Sequence, residues 1–573
     1  MKLGRLLPAA LLLGALAGAE AVLREKLGPP PREAAFPDFD YYYSDINKDF
    51  FRPVLNNEFS LAYTTARPRA ESQTFLASKP AGTVRVFVVG GSVAVMFADE
   101  PAVRIREFFR KSFPGKTIEV ISCGMGGYDS YRDSLVLKDV LRHEPDAIVV
   151  LSGNNEYFEP ETVASPTLYH LTRALRRLWL FRWPQERWLP SRTAARPTRK
   201  DRLANFESNL RRMALQAHER NVPLVFCTLP ANIRDYPPLS GRPAFGTPGY
   251  LDAWAAFDAG DDRAATEKFG RYAAAHPEDP FGHYWLAKSL DRRGLRAAAR
   301  EQYRLALEYD DPGERCSPAR NDIIRRVARD TGMIAADLEK TFDAIAEDGI
   351  TDGRIFADPM HWRKEYYPLA SSVILRAVHD AANAGGTPRS LADGWDWSWY
   401  EASKPELLKP AVGPESRAKS GDEEVYRAMT YAVRENDGLS EGALALFADE
   451  ARQDPARFEF LTGSYDNVRK VFETYVWLRA SADDVRERWD EVLIHRGETY
   501  RRQRLYARAL RDFDAVLARD PGPGRDRALL LRAMTLAKLG RTAEVRESLE
   551  KISEAFRRLP EFVYWRARLA PGL

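Results

Sequence analysis

The stretch Thr83–Ser92, TVRVFVVGGS, decides the fold of the central part of this 573-residue chain. Its apolar run from Val84 to Val89 is typical of a strand that is buried on both faces of a parallel sheet. The run ends in Gly90-Gly91-Ser92, where two glycines allow a tight turn and leave a serine at the carboxyl end of the strand. In doubly wound α/β sheets, ligand sites form at that end of the strands.

Four more segments read as strands of the same sheet, with helical patterns between them. The predicted strands are residues 117–122, 147–151, 223–228 and 334–337, and the predicted helices are residues 102–113 and a stretch after Tyr131. Apolar strands that alternate with helices predict an α/β fold in which both faces of a parallel five-stranded sheet are covered. The expected domain covers residues 81–385.

A purely helical pattern interrupts this domain at about residues 247–312 and returns beyond a linker predicted at 386–420. Each unit has a glycine, an aromatic residue nine positions later and a closing proline, a spacing typical of tetratricopeptide repeats. Such units are Gly260-Phe269-Pro277, Gly294-Tyr303-Pro312 and Gly438-Phe447-Pro455. The insert either buttresses the sheet or binds a partner. For the array at 421–573 a protein or peptide partner is expected, because stacked repeats form a concave binding surface.

The N-terminal residues 1–22 have the features of an export signal. Lys2 and Arg5 precede an apolar run from Leu6 to Val22, which is near the lower limit for spanning a bilayer. Small residues around Ala19 offer cleavage sites, so a cleaved peptide and a retained membrane anchor both remain open. Residues 23–80, rich in proline and aromatic residues, are predicted to be an extended arm that lies on the next domain.

The composition argues against several other classes of function. With 85 basic and 82 acidic residues the formal net charge is +3, so no nucleic-acid partner is expected. Cys123, Cys227 and Cys316 have no C-x-x-C spacing, which argues against a disulfide framework or a zinc site. Neither a G-x-G-x-x-G motif nor a Walker lysine accompanies Ser92. We therefore expect no metal and no organic cofactor.

Three later motifs supply the groups that a nucleophilic serine needs. Gly124 follows the second strand and Asn155 follows the third, and the backbone amides of Ser92 and Gly124 with the Asn155 side chain are suited to an oxyanion. Asp358 lies three residues before His361, so its carboxylate can bond one imidazole nitrogen while the other acts on Ser92. Taken singly, these residues are also typical of a helix N-cap, a strand end and an Asx turn.

In this order the four motifs resemble those of the SGNH (GDSL-like) hydrolases, over residues 83–385 outside the insert. The resemblance implies a flavodoxin-like three-layer sandwich, a Ser92-His361-Asp358 triad, an oxyanion hole of Ser92, Gly124 and Asn155, and an acyl-ester substrate. The chain looks most like bacterial, membrane-anchored members that carry tetratricopeptide repeats. A place in the bacterial cell envelope, anchored or released after cleavage, is therefore expected.

Two positions depart from the family pattern and leave the substrate class open. Gly91 stands where an acidic residue usually precedes the serine, and Glu156 stands where an aspartate usually follows the asparagine. An exported ester hydrolase is the leading hypothesis, acyl transfer to an envelope polysaccharide is the alternative, and a non-catalytic repeat scaffold is a third. Glu156 and Arg234 are candidates for substrate binding. For Arg234, a structural ion pair with Asp235 or Glu156 is the other interpretation.

Overall fold

The computed structural model describes most of the chain, with gaps. The described residues are 7–28, 49–67, 70–98, 101–156, 178–181, 198–238, 246–356, 358–383, 395–407, 454–474, 488–519 and 524–571, with positions 175, 429, 447–448, 451–452 and 485–486 besides. Most of the predicted linker at 386–420, and most of the repeat unit that begins at Gly438, lie outside these residues.

Eight strands form two separate sheets among the described residues. They are β1 (Phe51–Leu55), β2 (Leu61–Thr65), β3 (Thr74–Leu76), β4 (Thr83–Gly90), β5 (Thr117–Gly124), β6 (Ala147–Leu151), β7 (Leu224–Cys227) and β8 (Ile334–Ala336). The last five form a parallel sheet in the order β5-β4-β6-β7-β8. This is the flavodoxin-like order, in which the second strand lies outside the first. The prediction of a parallel five-stranded sheet is confirmed.

The helices surround this sheet and extend beyond it. In chain order they are α1 (Leu7–Leu27), α2 (Ser92–Ala98), α3 (Pro101–Ser112), α4 (Ser130–Val140), α5 (Arg199–Glu219), α6 (Tyr250–Asp258), α7 (Asp262–Ala275), α8 (Pro280–Arg292), α9 (Arg296–Tyr309), α10 (Pro318–Thr331), α11 (Leu338–Ile345), α12 (Tyr367–Asn383), α13 (Ser398–Leu407), α14 (Pro455–Thr462), α15 (Tyr465–Thr474), α16 (Trp489–Arg502), α17 (Tyr506–Leu517), α18 (Arg525–Lys538), α19 (Thr542–Glu550), α20 (Glu554–Arg557) and α21 (Pro560–Leu569).

Two groups of helices enclose the parallel sheet in a three-layer arrangement. On one face α2, α3 and α12 pack on the sheet, and α4, α5 and α10 cover the other face. Every residue of β4 and β6 is buried, which explains why these strands read as nearly continuous apolar runs. In register, Gly90 pairs with both Gly124 and Leu151, so the carboxyl ends of β4, β5 and β6 lie side by side.

The segment predicted as an extended arm contains a small antiparallel sheet, β1-β2-β3. Phe50, Phe51 and Phe75 are buried in the same hydrophobic core as Phe87 of β4, so this sheet adds to the α/β domain. Its alternation of exposed and buried residues is short, which explains why the sequence pattern indicated extended chain without a sheet.

Helix α1 covers most of the predicted export signal. It contacts residues 178–181, where the Leu180 N–H donates to the Glu20 carboxylate and Trp179 Nε1 donates to the Gly28 carbonyl. Within the described ranges, no helix combines the length and apolarity required for a bilayer span.

The insert is four consecutive helices, α6 to α9, with a hydrophobic core of its own. Neighbouring helices pack in pairs around Trp254, Phe269, Trp285 and Tyr303. The C-terminal helices α14 to α21 share another hydrophobic core, to which Tyr236, before the insert, also contributes. The two helical parts meet where Arg501 pairs with Asp258 at 3.1 Å and the residues of α21 contact α6. That these helices belong to the tetratricopeptide class stays a prediction.

Candidate active site

Ser92 lies at the carboxyl end of β4, where the chain turns directly into α2. The strand ends at Gly90 and the helix begins at Ser92, so a single residue, Gly91, makes the connection. A Cβ atom on Gly91 would lie 2.4 Å from Nδ2 of Asn155, so a glycine is needed for this close approach. Ser92 is partly exposed although Gly91 and Val93 on either side are buried. Its backbone N–H is in the first turn of a helix, where no intrahelical acceptor exists.

His361 joins Ser92 to Asp358 through its two ring nitrogens. Nε2 of His361 lies 2.8 Å from Oγ of Ser92, and Nδ1 lies 2.6 Å from Oδ2 of Asp358. Ser92 and His361 are 269 positions apart in the chain, so this contact depends on the whole domain. A serine hydroxyl, an imidazole and a carboxylate in this sequence of contacts form the arrangement that activates a serine as a nucleophile.

The Asp358 carboxylate is held in place and kept ionised. Its Oδ1 accepts the backbone N–H of Met360 at 2.9 Å and that of His361 at 2.8 Å. Burial acts to raise the pKa of Asp358, but the charge and hydrogen bond of His361 with the two N–H groups outweigh it and lower the pKa below its usual value. The ionised carboxylate therefore orients the imidazole and leaves Nε2 facing Ser92.

Gly124 ends β5 and packs against the backbone of α2. A Cβ atom at this position would lie 2.4 Å from the backbone nitrogen of Val95, so only glycine allows the strand end to approach the helix that carries Ser92. The Gly124 N–H donates a hydrogen bond of 3.5 Å to Oγ of Ser122. A bond of that length is weak, and a stronger acceptor can compete for this N–H.

Asn155 follows β6 and is buried beside Gly91. Its Nδ2 donates to the backbone carbonyl of Tyr128 at 2.9 Å, which fixes the orientation of the amide. A side-chain amide carries two N–H donors. One N–H is therefore engaged by Tyr128, and the second belongs to the nitrogen that lies against Gly91, next to Ser92 in the chain.

Glu156 is not placed as a substrate-binding group. Its carboxylate is buried and accepts the N–H of Ser130 at 2.9 Å and the hydroxyl of Ser130 at 2.7 Å, at the first turn of α4. Burial and the negative charge of Asp129 raise the pKa of Glu156 to about 7. Glu156 therefore binds the first turn of α4.

Arg234 is engaged in ion pairs that differ from the expected ones. Its guanidinium forms two bonds with Asp291 of α8, at 2.7 and 2.9 Å, and a third with Asp352 at 3.2 Å. The side chain is 12% exposed. Asp291 and Asp352 are far from Arg234 in the chain, so the sequence alone pointed to the nearby Asp235 and to Glu156.

Sequence reasoning missed the residues that hold the oxyanion candidates. Tyr128 positions Asn155 through its carbonyl, and its hydroxyl accepts Nη1 of Arg67 at 2.8 Å. Arg67 follows β2, so the N-terminal sheet reaches the support of the site. In the sequence, only its position pointed to Tyr128, which lies four residues after Gly124 in the loop after β5.

The three cysteines are all buried within the described part of the chain. Cys123, Cys227 and Cys316 are buried free thiols. Burial raises the pKa of Cys316 to about 12, so this thiol is protonated at neutral pH and is a poor nucleophile. No group of three or more His, Cys, Asp or Glu residues in the described part of the chain is arranged to hold a metal ion.

Comparisons with known proteins find similarity only at the level of structure. No protein-family model matches the chain. No curated protein sequence matches it either. Solved structures that are similar include a GDSL-like lipase from Bacteroides thetaiotaomicron VPI-5482, with 14% identity over 54% of this chain and 93% of that chain and a TM-score of 0.26. A lipase/acylhydrolase from Enterococcus faecalis has 13% identity over 52% of this chain and 95% of its own, with a TM-score of 0.25.

A third similar structure, TesA, has 12% identity over 52% of this chain and 99% of its own, with a TM-score of 0.23. The first two of these structures are described as a GDSL-like lipase and a lipase/acylhydrolase. At these identities and scores, the assignment of a class to this chain depends on its own sheet and site. Those define an α/β protein with a serine, a histidine and an aspartate in contact at the carboxyl end of the first strand of the parallel sheet.

Proposed function

We propose that this chain is a serine ester hydrolase of the SGNH type. The observation that carries the proposal is the continuous contact from Ser92 Oγ to His361 Nε2, at 2.8 Å, and from His361 Nδ1 to Asp358 Oδ2, at 2.6 Å. The partly exposed position of Ser92 supports it, because a nucleophile must reach its substrate.

In the proposed reaction, Ser92 Oγ attacks the carbonyl carbon of an acyl ester and gives its proton to His361 Nε2. The negative charge that forms on the carbonyl oxygen is bound by the N–H groups of Ser92 and Gly124 and by the second N–H of Asn155. His361 then donates the proton to the departing alcohol as the carbon–oxygen bond breaks. Water, deprotonated by His361, attacks the acyl-serine. The bond between the acyl carbon and Ser92 Oγ then breaks, His361 returns the proton to Oγ, and the acid leaves.

Cellular location and the role of the helical repeats are part of the same proposal. The basic residues Lys2 and Arg5 before the apolar run support export, with α1 kept as an anchor or removed by cleavage. The C-terminal helices are proposed to bind a protein or peptide partner, as stacked helical repeats commonly do.

Covalent labelling of the full-length chain by a fluorophosphonate tests the reaction. We expect labelling of the wild type and none in Ser92→Ala or His361→Ala. The matched control is His379→Ala, because His379 also contacts a carboxylate, Asp380 at 3.1 Å, but its ring packs against Trp395 and Trp397. Labelling that persists in folded Ser92→Ala would refute the assignment of the nucleophile.

A product assay separates hydrolysis from acyl transfer. An ester substrate is incubated with and without a polysaccharide acceptor, and the free acid and the acylated acceptor are both measured. We expect free acid at every acceptor concentration. Acylated acceptor formed at the expense of acid would assign the chain to the transferases.

A further inference from the structure

The loop that carries Asp358 and His361 is closed at its base by backbone contacts. It leaves the 3-10 turn Glu347–Gly349 and returns to α12. The N–H of Arg363 donates to the carbonyl of Ile355 at 2.8 Å, and Phe356 forms an isolated β-bridge with Trp362. These contacts join residues 355 and 356 to residues 362 and 363, and residues 351–356 and 358–363 are called the His361 loop.

A second loop, residues 229–237 after β7, forms hydrogen bonds with the His361 loop. The N–H of Asn232 donates to the carbonyl of Pro359 at 2.9 Å, two residues before His361. At the base, the Thr351 hydroxyl donates to the carbonyl of Ala231 at 2.5 Å, and the N–H of Gly353 donates to Oδ2 of Asp235 at 2.5 Å. The 229–237 loop therefore determines where the His361 loop lies relative to the sheet.

The 229–237 loop has two further supports. Arg315, after α9, donates to the carbonyls of Asn232, Tyr236 and Pro237, and the insert contacts the loop through Arg234. The Arg234 guanidinium bonds Asp352 of the His361 loop with one nitrogen and Asp291 of α8 with the two others. The hydroxyl of Tyr284, also on α8, donates to the Arg234 carbonyl at 3.1 Å. Asp291 is itself fixed by the Tyr303 hydroxyl of α9, at 3.2 Å.

We infer that the helical insert positions the catalytic histidine, with Arg234 as the positioning residue that links Asp291 of the insert to Asp352 of the His361 loop. The expected effect on kcat rests on the proposed serine hydrolase function. The contacts from Asp291 through Arg234 to Asp352 are a property of the fold and do not depend on that function. Proton transfer from Ser92 to His361 requires the two atoms to stay within hydrogen-bond distance, and a misplacement of about 1 Å can cost about 10² in rate. The insert thus acts on the reaction from a part of the chain that contacts no reacting atom.

The kinetic test compares Arg234→Gln and Asp291→Asn with the wild type in the hydrolysis of p-nitrophenyl acetate. The matched control is Arg496→Gln, because Arg496 in α16 forms the same two-bond contact, with Asp512, and is also 12% exposed. We expect kcat to fall about 10- to 100-fold in both test variants, with KM changed less than about twofold and the control unaffected. Arg234→Lys should restore only part of kcat relative to Arg234→Gln, because lysine keeps the charge but cannot form the two-bond contact.

Two outcomes would overturn the inference in this assay. If KM rises while kcat is unchanged, Arg234 binds substrate. The loss of kcat in each variant is compared with its loss of melting temperature. If this ratio is the same for the test variants and the control, Arg234 has only a structural role.

Hydrogen–deuterium exchange tests the same link without any activity. In Asp291→Asn, peptides from residues 351–363 should exchange faster than in the wild type, while those from 525–550 should not change. If the wild type neither hydrolyses the ester nor reacts with a fluorophosphonate, the proposed function fails. The exchange result then tests by itself whether Asp291 and Arg234 hold the His361 loop in place. Unchanged exchange at 351–363 in the variant would refute it.

Discussion

Replacing Asp358 by asparagine should inactivate the protein by reversing the hydrogen bond to His361. In the structure Oδ1 accepts two backbone N–H groups and Oδ2 accepts Nδ1 of His361. Asparagine has one acceptor oxygen, which will keep the two backbone bonds because they outnumber the single bond to the imidazole. Its NH₂ group then faces Nδ1, so the ring proton moves to Nε2.

A proton on Nε2 removes the base that faces Ser92. The 2.8 Å contact with Oγ is kept, but His361 now donates in it and cannot accept the serine proton. For a wrong tautomer of this kind we expect kcat to fall about 10⁴-fold, or about 5 kcal/mol in activation free energy. Because the two side chains have nearly the same shape, we expect the folded structure and the melting temperature to change little.

The assay is steady-state hydrolysis of p-nitrophenyl acetate, together with fluorophosphonate labelling and the melting temperature of each variant. Asp380→Asn is the matched control, since Asp380 also contacts a histidine through Nδ1, His379 at 3.1 Å. A folded Asp358→Asn protein with kcat within about tenfold of the wild type, when Ser92→Ala is inactive, would refute the orienting role of Asp358.

Three further predictions concern the support of the site. Asn155→Ala should lower kcat about 10²- to 10³-fold through loss of an oxyanion donor, and steady-state kinetics should show KM unchanged. Gly91→Ala should lower kcat similarly, because its Cβ would lie 2.4 Å from Asn155 Nδ2. The double variant, Gly91→Ala with Asn155→Ala, should be no slower than the slower single variant. Additive losses of kcat would contradict this coupling. Since the pKa of Glu156 is raised from 4.5 to about 7, the folded protein holds a proton that the unfolded chain releases, and the free energy of unfolding should fall as pH rises through that range. Denaturant unfolding should show a smaller fall for Glu156→Gln, and an equal slope would contradict the assignment.

The central sheet was predictable because its information is local. Strands buried on both faces are mostly apolar, so β4 and β6 appear in the sequence within one or two residues of their observed ends, although β4 also contains the buried Arg85. The glycines and polar residues directly after β4, β5 and β6 could be placed at one edge of the sheet for the same reason, because parallel strands end on the same side.

The support of the site was not predictable, because it consists of contacts between distant parts of the chain. Arg234 has Asp235 beside it in sequence, yet its guanidinium contacts Asp291 and Asp352, 57 and 118 positions away. Asn155 is oriented by a backbone carbonyl, that of Tyr128, and a backbone carbonyl carries no signal in a residue pattern. Packing chooses among many possible partners of a charged group, and the choice depends on which elements the topology brings together.

The sequence by itself therefore determined the type and order of the elements of the sheet, and it predicted the groups of the candidate site. Periodicity and residue chemistry encode burial and reactivity one segment at a time. Only the tertiary structure decided that His361 meets Ser92 across 269 positions, that Glu156 supports helix α4, and that the insert contacts the loop of the histidine. Those contacts arise when the sheet and its helices pack, since a distance between remote residues is a property of the whole fold.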